Sequence, residues 1–175
     1  MAHLFFLCGP SGSGKNAVMA EASRRNPALR IAKRTITRPS DPSEQVETLS
    51  AHAFSKAVSD GEFLWWWTAH GFSYGIRHAE CEGEGCVLVN GSRAYWPTAK
   101  RRVPEARLIV LTVDPAVLAG RLTARGRESP AAISERLHRN DRLQSDTLLD
   151  QAWLVLDNTH ALSEVSQALV RALPC

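Results

Sequence analysis

With 175 residues the chain is long enough for one well-buried core and too short for two full domains. Apolar residues at 44% and charged residues at 22% exclude wholesale disorder, and no apolar run nears the roughly 20 residues of a spanning helix. A net charge of +3 is too mild to argue for nucleic acid; the arginines cluster in segments that suit an anionic small molecule better.

Leu4-Phe5-Phe6-Leu7-Cys8 reads as a buried strand. Met1-Ala2-His3 leads into it with neither a basic segment nor a cleavage site, so a cytoplasmic protein is expected. Next comes Gly9-Pro10-Ser11-Gly12-Ser13-Gly14-Lys15-Asn16 and a helix to about Arg25, with Ala17, Val18 and Ala22 on its apolar face. Strand, G-x-x-x-x-G-K and helix in this order predict a phosphate loop, in which backbone N–H groups and the positive helix end converge on phosphate oxygens. Lys15 adds a mobile charge for the β- and γ-phosphates. A plain glycine turn would need neither the lysine nor the strand before it. Asn16 stands where such loops carry the Ser or Thr that ligates Mg²⁺, so its amide oxygen is the candidate ligand, directly or through water.

Leu29 to Thr37 reads as a second strand ending at Arg38-Pro39, and Ser40 to Ser50 as a polar loop. A helix over Ser50 to Asp60 is capped by Ser50 and closed by Gly61. Glu62 to His70 and Phe72 to Ile76 form a hairpin turning at His70-Gly71. Trp65 and Trp67 share one face of it and Trp66 takes the other. A buried strand, Cys86 to Val89, ends at Asn90-Gly91-Ser92 and leads to a helix over Arg93 to Arg102. Leu108 to Val113 is the next strand. Asp114-Pro115 opens a helix with Val117, Leu118 and Leu122, which ends at Gly126 and carries Arg121 and Arg125 at i,i+4. An arginine-rich helix from Pro130 to Leu143, a short strand from Ala152 to Leu156 and an amphipathic helix from Ala161 to Leu173 complete the chain.

Strand alternating with helix implies a three-layer α/β sandwich with a mainly parallel sheet and ligands at the carboxyl ends of its strands. Residues 34–85 read as an insertion and 121–145 as an arginine-rich helix pair; in a nucleoside-phosphate kinase layout the first would bind the acceptor and the second would be the lid. The four cysteines lack a paired metal-ligand spacing and are expected to be free thiols. No motif fixes an oligomeric state.

Nearly the whole chain resembles the guanylate kinase superfamily: the loop GPSGSGK, Thr35-Ile36-Thr37-Arg38-Pro39, the hairpin from Gly61-Glu62-Phe63-Leu64 to Tyr74-Gly75, and the segment Arg121-Leu122 to Arg125-Gly126 to Ile133 and Arg136. The acids that read guanine in that superfamily are replaced by Trp65 and Asn90. Guanine donors would go unpaired there, at roughly 1–3 kcal/mol for each group. Val87-Leu88-Val89-Asn90-Gly91-Ser92-Arg93-Ala94, Ala69-His70-Gly71 with Tyr74-Gly75-Ile76, and Arg125-Gly126-Arg127-Glu128 resemble a narrower branch, the ribose 1,5-bisphosphate phosphokinases. That branch usually has Asp after the loop lysine, so Asn16 keeps its size, and a His where this chain has Val46.

The resemblance implies a P-loop kinase that uses ATP and Mg²⁺ to phosphorylate ribose 1,5-bisphosphate, giving 5-phospho-α-D-ribose 1-diphosphate. Its partners are then a nucleotide and a sugar bisphosphate, with no nucleic acid and no membrane. It implies that Gly9 to Asn16 bind ATP, and that Lys15, Arg121, Arg125 and Arg136 neutralise the transferring phosphoryl. Arg38 and Tyr74 would grip the acceptor phosphate, with Glu44, Asn90, Ser92 and Arg93 as further acceptor contacts. The acceptor phosphate is already ionised, so His70 has no base to supply and reads as a turn residue. Trp65 is expected to fill the space a nucleobase would need. The rival readings are a guanylate or other nucleoside monophosphate kinase, tested by GMP, and a catalytically silent interaction module, which an intact Lys15 disfavours.

Overall fold

The computed structural model describes residues 2–40, 44–124, 126, 129–143 and 146–175, without the side chains of 136, 139–143 and 146. The first apolar run forms β1 (His3–Cys8), buried from Leu4 onward because both of its faces meet apolar layers. After α1 (Lys15–Arg25) come β2 (Leu29–Ile31), β3 (Arg34–Ile36), β4 (Val46–Thr48), α2 (Ala51–Ser59), β5 (Phe63–Ala69) and β6 (Phe72–Arg77). Then follow β7 (Cys86–Asn90), α3 (Trp96–Arg102), β8 (Arg107–Thr112), α4 (Pro115–Ala124), α5 (Pro130–Leu143), α6 (Asp146–Asp150), β9 (Leu154–Asp157) and α7 (Leu162–Ala172).

A parallel sheet of five strands in the order β2-β7-β1-β8-β9 carries the core. Phe5 and Leu7 face α1 and α7, packing on Val18, Met19, Ala22, Val165 and Leu169. Phe6 and Cys8 face the other way, toward Trp96 and Ala99 of α3 and Trp65 and Trp67 of β5. Period two in β1 thus separates two apolar layers. The chain leaves β1 toward β2 and leaves β7 toward β8, on the opposite side, so the crevice outside the carboxyl ends of β1 and β7 is the switch point where such sheets hold ligands.

A second sheet, β4-β3-β6-β5, stands over the layer of Phe6. The expected single strand over Leu29 to Thr37 is divided between the two sheets. Ala32 still donates its N–H to Leu88 in the first, but the Lys33 N–H goes to the Glu80 carboxylate at 2.8 Å, and Arg34 starts the second. The polar loop also contains β4, parallel to β3, whose alternating Val46 and Thr48 lie among turn-forming neighbours that mask them. A register shift between Phe63 and Trp65 turns Phe63 toward α2, with Trp66, while Trp65 and Trp67 face the core. Gly75 makes room for this: a Cβ there would lie 2.6 Å from the Phe63 ring. His70 and Gly71 have φ of 53° and 77°, the paired left-handed turn of a two-residue hairpin.

A further expectation fails here. Cys86 and Cys175 form a disulfide, whereas Cys8 and Cys81 are free thiols. Spacing along the chain could not reveal a bond across 89 residues; α7 brings the carboxyl end beside β7 through the packing of Leu173 with Cys86. Trp65 is fully buried in the core, edge-on to Phe6, with its indole N–H donated to the Ala99 carbonyl. Trp67 is the indole at the crevice wall.

Candidate active site

The phosphate loop leaves β1 and turns sharply into α1. Gly12 and Gly14 have φ of 91° and 89°, which only glycine adopts without strain. Space is short as well: a Cβ on Gly12 would lie 2.7 Å from Leu122 of α4, and one on Gly14 2.7 Å from the Asn158 amide. The Gly9 backbone lies against Leu111, where a Cβ would stand 2.5 Å from its carbonyl oxygen. Ser13 donates its N–H to the Pro10 carbonyl and is fully buried. Lys15 folds over the loop, its ammonium donating to the Gly9 and Pro10 carbonyls at 2.9 Å each. Ser11 is exposed at the loop's rim.

Asn158, which the sequence reading missed, braces the loop from behind. It is buried just past β9 and donates its side-chain amide to the Ser13 carbonyl at 2.6 Å. Its sequence signal is an Asn at the carboxyl end of a core strand. Arg121 stands on α4, whose Leu118 and Leu122 back Gly12, and its Nη1 is buried with no hydrogen-bond partner among the described residues. Arg125, Arg127 and the side chain of Arg136 lie outside the described residues.

Across the switch point Asn90, at the end of β7, donates its side-chain amide to the Asn16 carbonyl oxygen at 2.6 Å. The two residues that depart from the usual loop and strand-end types are therefore partners. One lone pair of the Asn16 oxygen is taken, which leaves the other for a metal or its water. No cluster of three or more His, Cys, Asp or Glu that could hold a metal occurs among the described residues. The site suits a divalent ion that arrives on phosphates and keeps its waters better than one held by a protein cage.

A cleft of about 400 Å³ runs from the phosphate loop to the second sheet. Lys15, Arg34, Arg38 and Arg93 line it, with Tyr74 and Ser92. Arg38 donates to Glu44 at 2.8 Å, and that bond, more than any other influence, raises its guanidinium above the usual pKa. Arg34, also missed, approaches the same carboxylate only to 3.7 Å and stands 5.9 Å from the centre of the Tyr74 ring. Burial is the main cause that pulls its pKa down. Burial likewise lowers Arg93, and raises the Cys8 thiol to about 11 although Lys15 and Arg93 oppose it. Tyr74 stacks on Trp67, which stacks in turn on Tyr95, so the aromatic wall is rigid. Arg34 was legible from period two, since it shares a face of β3 with Ile36, paired to Tyr74.

Of the residues the sequence singled out, Gly9, Ser11, Lys15, Arg38, Tyr74, Asn90, Ser92 and Arg93 line this one cleft. Glu44 sits behind Arg38 and lines an adjoining cleft of about 310 Å³ with Asn16. Pro10, Gly12, Ser13 and Gly14 complete the loop. Such an arrangement can neutralise phosphate at both ends of a short path, which is what phosphoryl transfer needs.

No family model matches the chain. It is 39% identical over 177 residues to the ribose 1,5-bisphosphate phosphokinase PhnN of Azotobacter vinelandii, covering 97% of this chain and 94% of that protein. It is also 39% identical over 182 residues to the protein of the same name from Yersinia pestis, covering 99% and 94%. The fold is similar to that of guanylate kinase from Anaplasma phagocytophilum, with a TM-score of 0.72 at 14% identity over 97% of this chain and 83% of that one. A gluconokinase from Sinorhizobium meliloti 1021 gives a TM-score of 0.57 at 16% identity, over 97% and 90%.

Proposed function

The chain belongs to the ribose 1,5-bisphosphate phosphokinase family, and on that footing we propose that it transfers the γ-phosphoryl of ATP to the 1-phosphate of ribose 1,5-bisphosphate. An oxygen of the 1-phosphate bonds to the γ-phosphorus as the bond to the bridging oxygen of ADP breaks, giving 5-phospho-α-D-ribose 1-diphosphate. The observation that carries this is the convergence of Lys15, Arg34, Arg38 and Arg93 on a cleft joined to a glycine phosphate loop. A cleft with this excess of cations suits an acceptor that is itself highly anionic.

The backbone N–H groups of the loop from Gly9 to Asn16 hold the ATP phosphates, and Lys15 shifts from the loop carbonyls to the β- and γ-oxygens. Arg38, Tyr74 and Arg93 orient the acceptor phosphate, with Glu44 fixing Arg38 and Ser92 at the cleft's rim. Arg121, whose buried Nη1 has no hydrogen-bond partner among the described residues, and Arg125 and Arg136 in the 121–145 lid close on the phosphoryl and exclude water. Residues 34–85 form the acceptor-binding region. Asn16 would hold Mg²⁺, directly or through water, and the ion would supply neutralisation of phosphate charge. We place the activity in the cytoplasm; no helix among the described residues is long and apolar enough to cross a membrane. The Cys86–Cys175 disulfide is then a bond that a reducing cytosol opens.

The test is incubation with Mg-ATP and ribose 1,5-bisphosphate, ribose 5-phosphate or GMP, with ADP release followed and the product identified. Turnover is expected with the bisphosphate alone. Turnover of GMP at a comparable rate overturns the assignment.

A further inference from the structure

The bisphosphate carries a second phosphate that the transfer itself does not use, and the residues assigned so far gather at the other one. Arg34 and Asn90 are the residues that line both the main cleft and the adjoining one, between α1 and β4. Arg38, Tyr74, Arg93 and Lys15 line the first alone. The second cleft has Asn16, Ser23, Gln45 and Val46 on its walls, and Arg34 as its cation among the described residues.

Arg34 is poorly satisfied where it stands. Its side chain is 15% exposed, yet it makes no hydrogen bond among the described residues. Its carboxylate neighbour, Glu44, lies at 3.7 Å, beyond hydrogen-bond reach, and is already bonded to Arg38 at 2.8 Å. Among the described residues two guanidinium groups share this one carboxylate, which leaves one positive charge over. A guanidinium has five donors in a planar fork suited to phosphate, and leaving them idle in a half-buried place is costly unless a ligand takes them. Nearby amides add neutral donors: Asn16 accepts from Asn90 through oxygen, which frees the Asn16 NH₂ to donate. Val46, directly opposite Arg34 in the β3–β4 register, brings no competing charge.

We propose that Arg34 is the specificity-determining residue for the second phosphate: it holds the 5-phosphate at the mouth of the adjoining cleft while the 1-phosphate lies between Arg38, Arg93 and the phosphate loop. This rests on the reaction proposed above. The sugar then spans Asn90, and a substrate with one phosphate loses the anchor that places its 1-phosphate.

The test pairs two acceptors, ribose 1,5-bisphosphate and ribose 1-phosphate, with the parent, Arg34→Met and Arg34→Lys. Arg34→Met should raise KM for the bisphosphate about 100-fold, with kcat changed by a few-fold, while kcat/KM for ribose 1-phosphate falls at least about tenfold less than that for the bisphosphate. Arg34→Lys keeps the charge without the fork and should raise KM by about tenfold. Equal losses on both acceptors, or an unchanged KM for the bisphosphate, overturn the proposal. Calorimetric titration of ribose 1,5-bisphosphate and ribose 5-phosphate without ATP separates this from the reaction. A parent that binds the bisphosphate without turning it over overturns the reaction, and Arg34 is then judged by whether Arg34→Met weakens that binding. A parent that does not bind it overturns both. If Arg34→Met does not fold, as circular dichroism would show, Arg34→Lys carries the same comparison.

Discussion

The phosphate-loop side of the cleft and the second-sheet side hold anions by different means. On the first, the work falls to the backbone: glycines with positive φ, a lysine latched on carbonyls and a buried Asn158 behind the turn. On the second, it falls to side chains that several strands bring together, with Arg34 and Arg38 sharing Glu44 and Tyr74 wedged against Trp67. A backbone cradle has its geometry built into the turn and is hard to retune. A side-chain cluster changes its ligand with single substitutions, which is how one fold serves different acceptors.

The largest effect should come from the backbone side. Lys15→Ala is expected to lower kcat about 10³-fold, because the charge it removes acts on the transition state in a site closed to water. Its melting temperature should stay near that of the parent, since the Lys15 ammonium donates to the Gly9 and Pro10 carbonyls of its own loop. Steady-state kinetics with a melting curve checks both, and a variant with parental kcat would overturn the kinase assignment. Asn158→Ala comes next. It leaves the buried Ser13 carbonyl without the amide that it accepts from, which costs about 1–3 kcal/mol. ATP affinity should fall while KM for the sugar stays constant; a change confined to the sugar would erase the distinction between the two sides.

The loop was legible because glycine spacing encodes backbone shape directly, and Gly12 and Gly14 have the left-handed φ the motif needs. The apolar runs gave the central strands β1, β7 and β8 of the parallel sheet for a similar reason: strands buried on both faces are apolar nearly throughout. The second sheet was harder. Its division from β2 depends on Glu80 capturing the Lys33 N–H, and its bulge at Phe63 depends on Gly75, neither of which is local in sequence. Arg34 shares a face of β3 with Ile36 and was there to be read from the period of the strand, whereas Asn158 escaped notice because its role comes from tertiary contact with Ser13. The Cys86–Cys175 disulfide escaped for the same reason.

Asn16 lies on the boundary of the two sides and should give a smaller effect. Asn16→Ala removes the amide oxygen, so the Mg²⁺ needed for half-maximal rate should rise a few-fold with nucleotide binding retained. Asn16→Asp should lower it. Asn90→Ala removes the donor that pins Asn16 and should leave the Mg²⁺ dependence close to the parent's. Titrating activity against Mg²⁺ at fixed ATP separates these; if Asn16→Ala matches the parent, Asn16 is a strut between β7 and the loop and touches no metal.

The smallest effect concerns the outer face of the second sheet, away from the cleft. Glu47 accepts two bonds from Arg77, at 2.8 and 3.0 Å, and one from the Thr35 hydroxyl at 2.5 Å. The Arg77 bonds, with Thr35 adding to them, hold its carboxyl below the usual range. A carboxyl lowered in the folded state adds stability that is fully present above its unfolded pKa of about 4.3 and fades as pH falls through the lower folded value. The side chain is 33% exposed, so solvent limits the gain to about 1 kcal/mol or less. Glu47→Gln should therefore melt about 2–4 °C below the parent at pH 7, and the gap should close on acidification below pH 4. Kinetics with either substrate should not change, because Glu47 lies on the face of β4 opposite Val46 and the clefts. A melting gap that persists once the pH is low enough to protonate the folded carboxyl would mean that Glu47 contributes by shape and hydrogen bonding alone, and a loss of activity would mean that the two faces of this sheet are coupled.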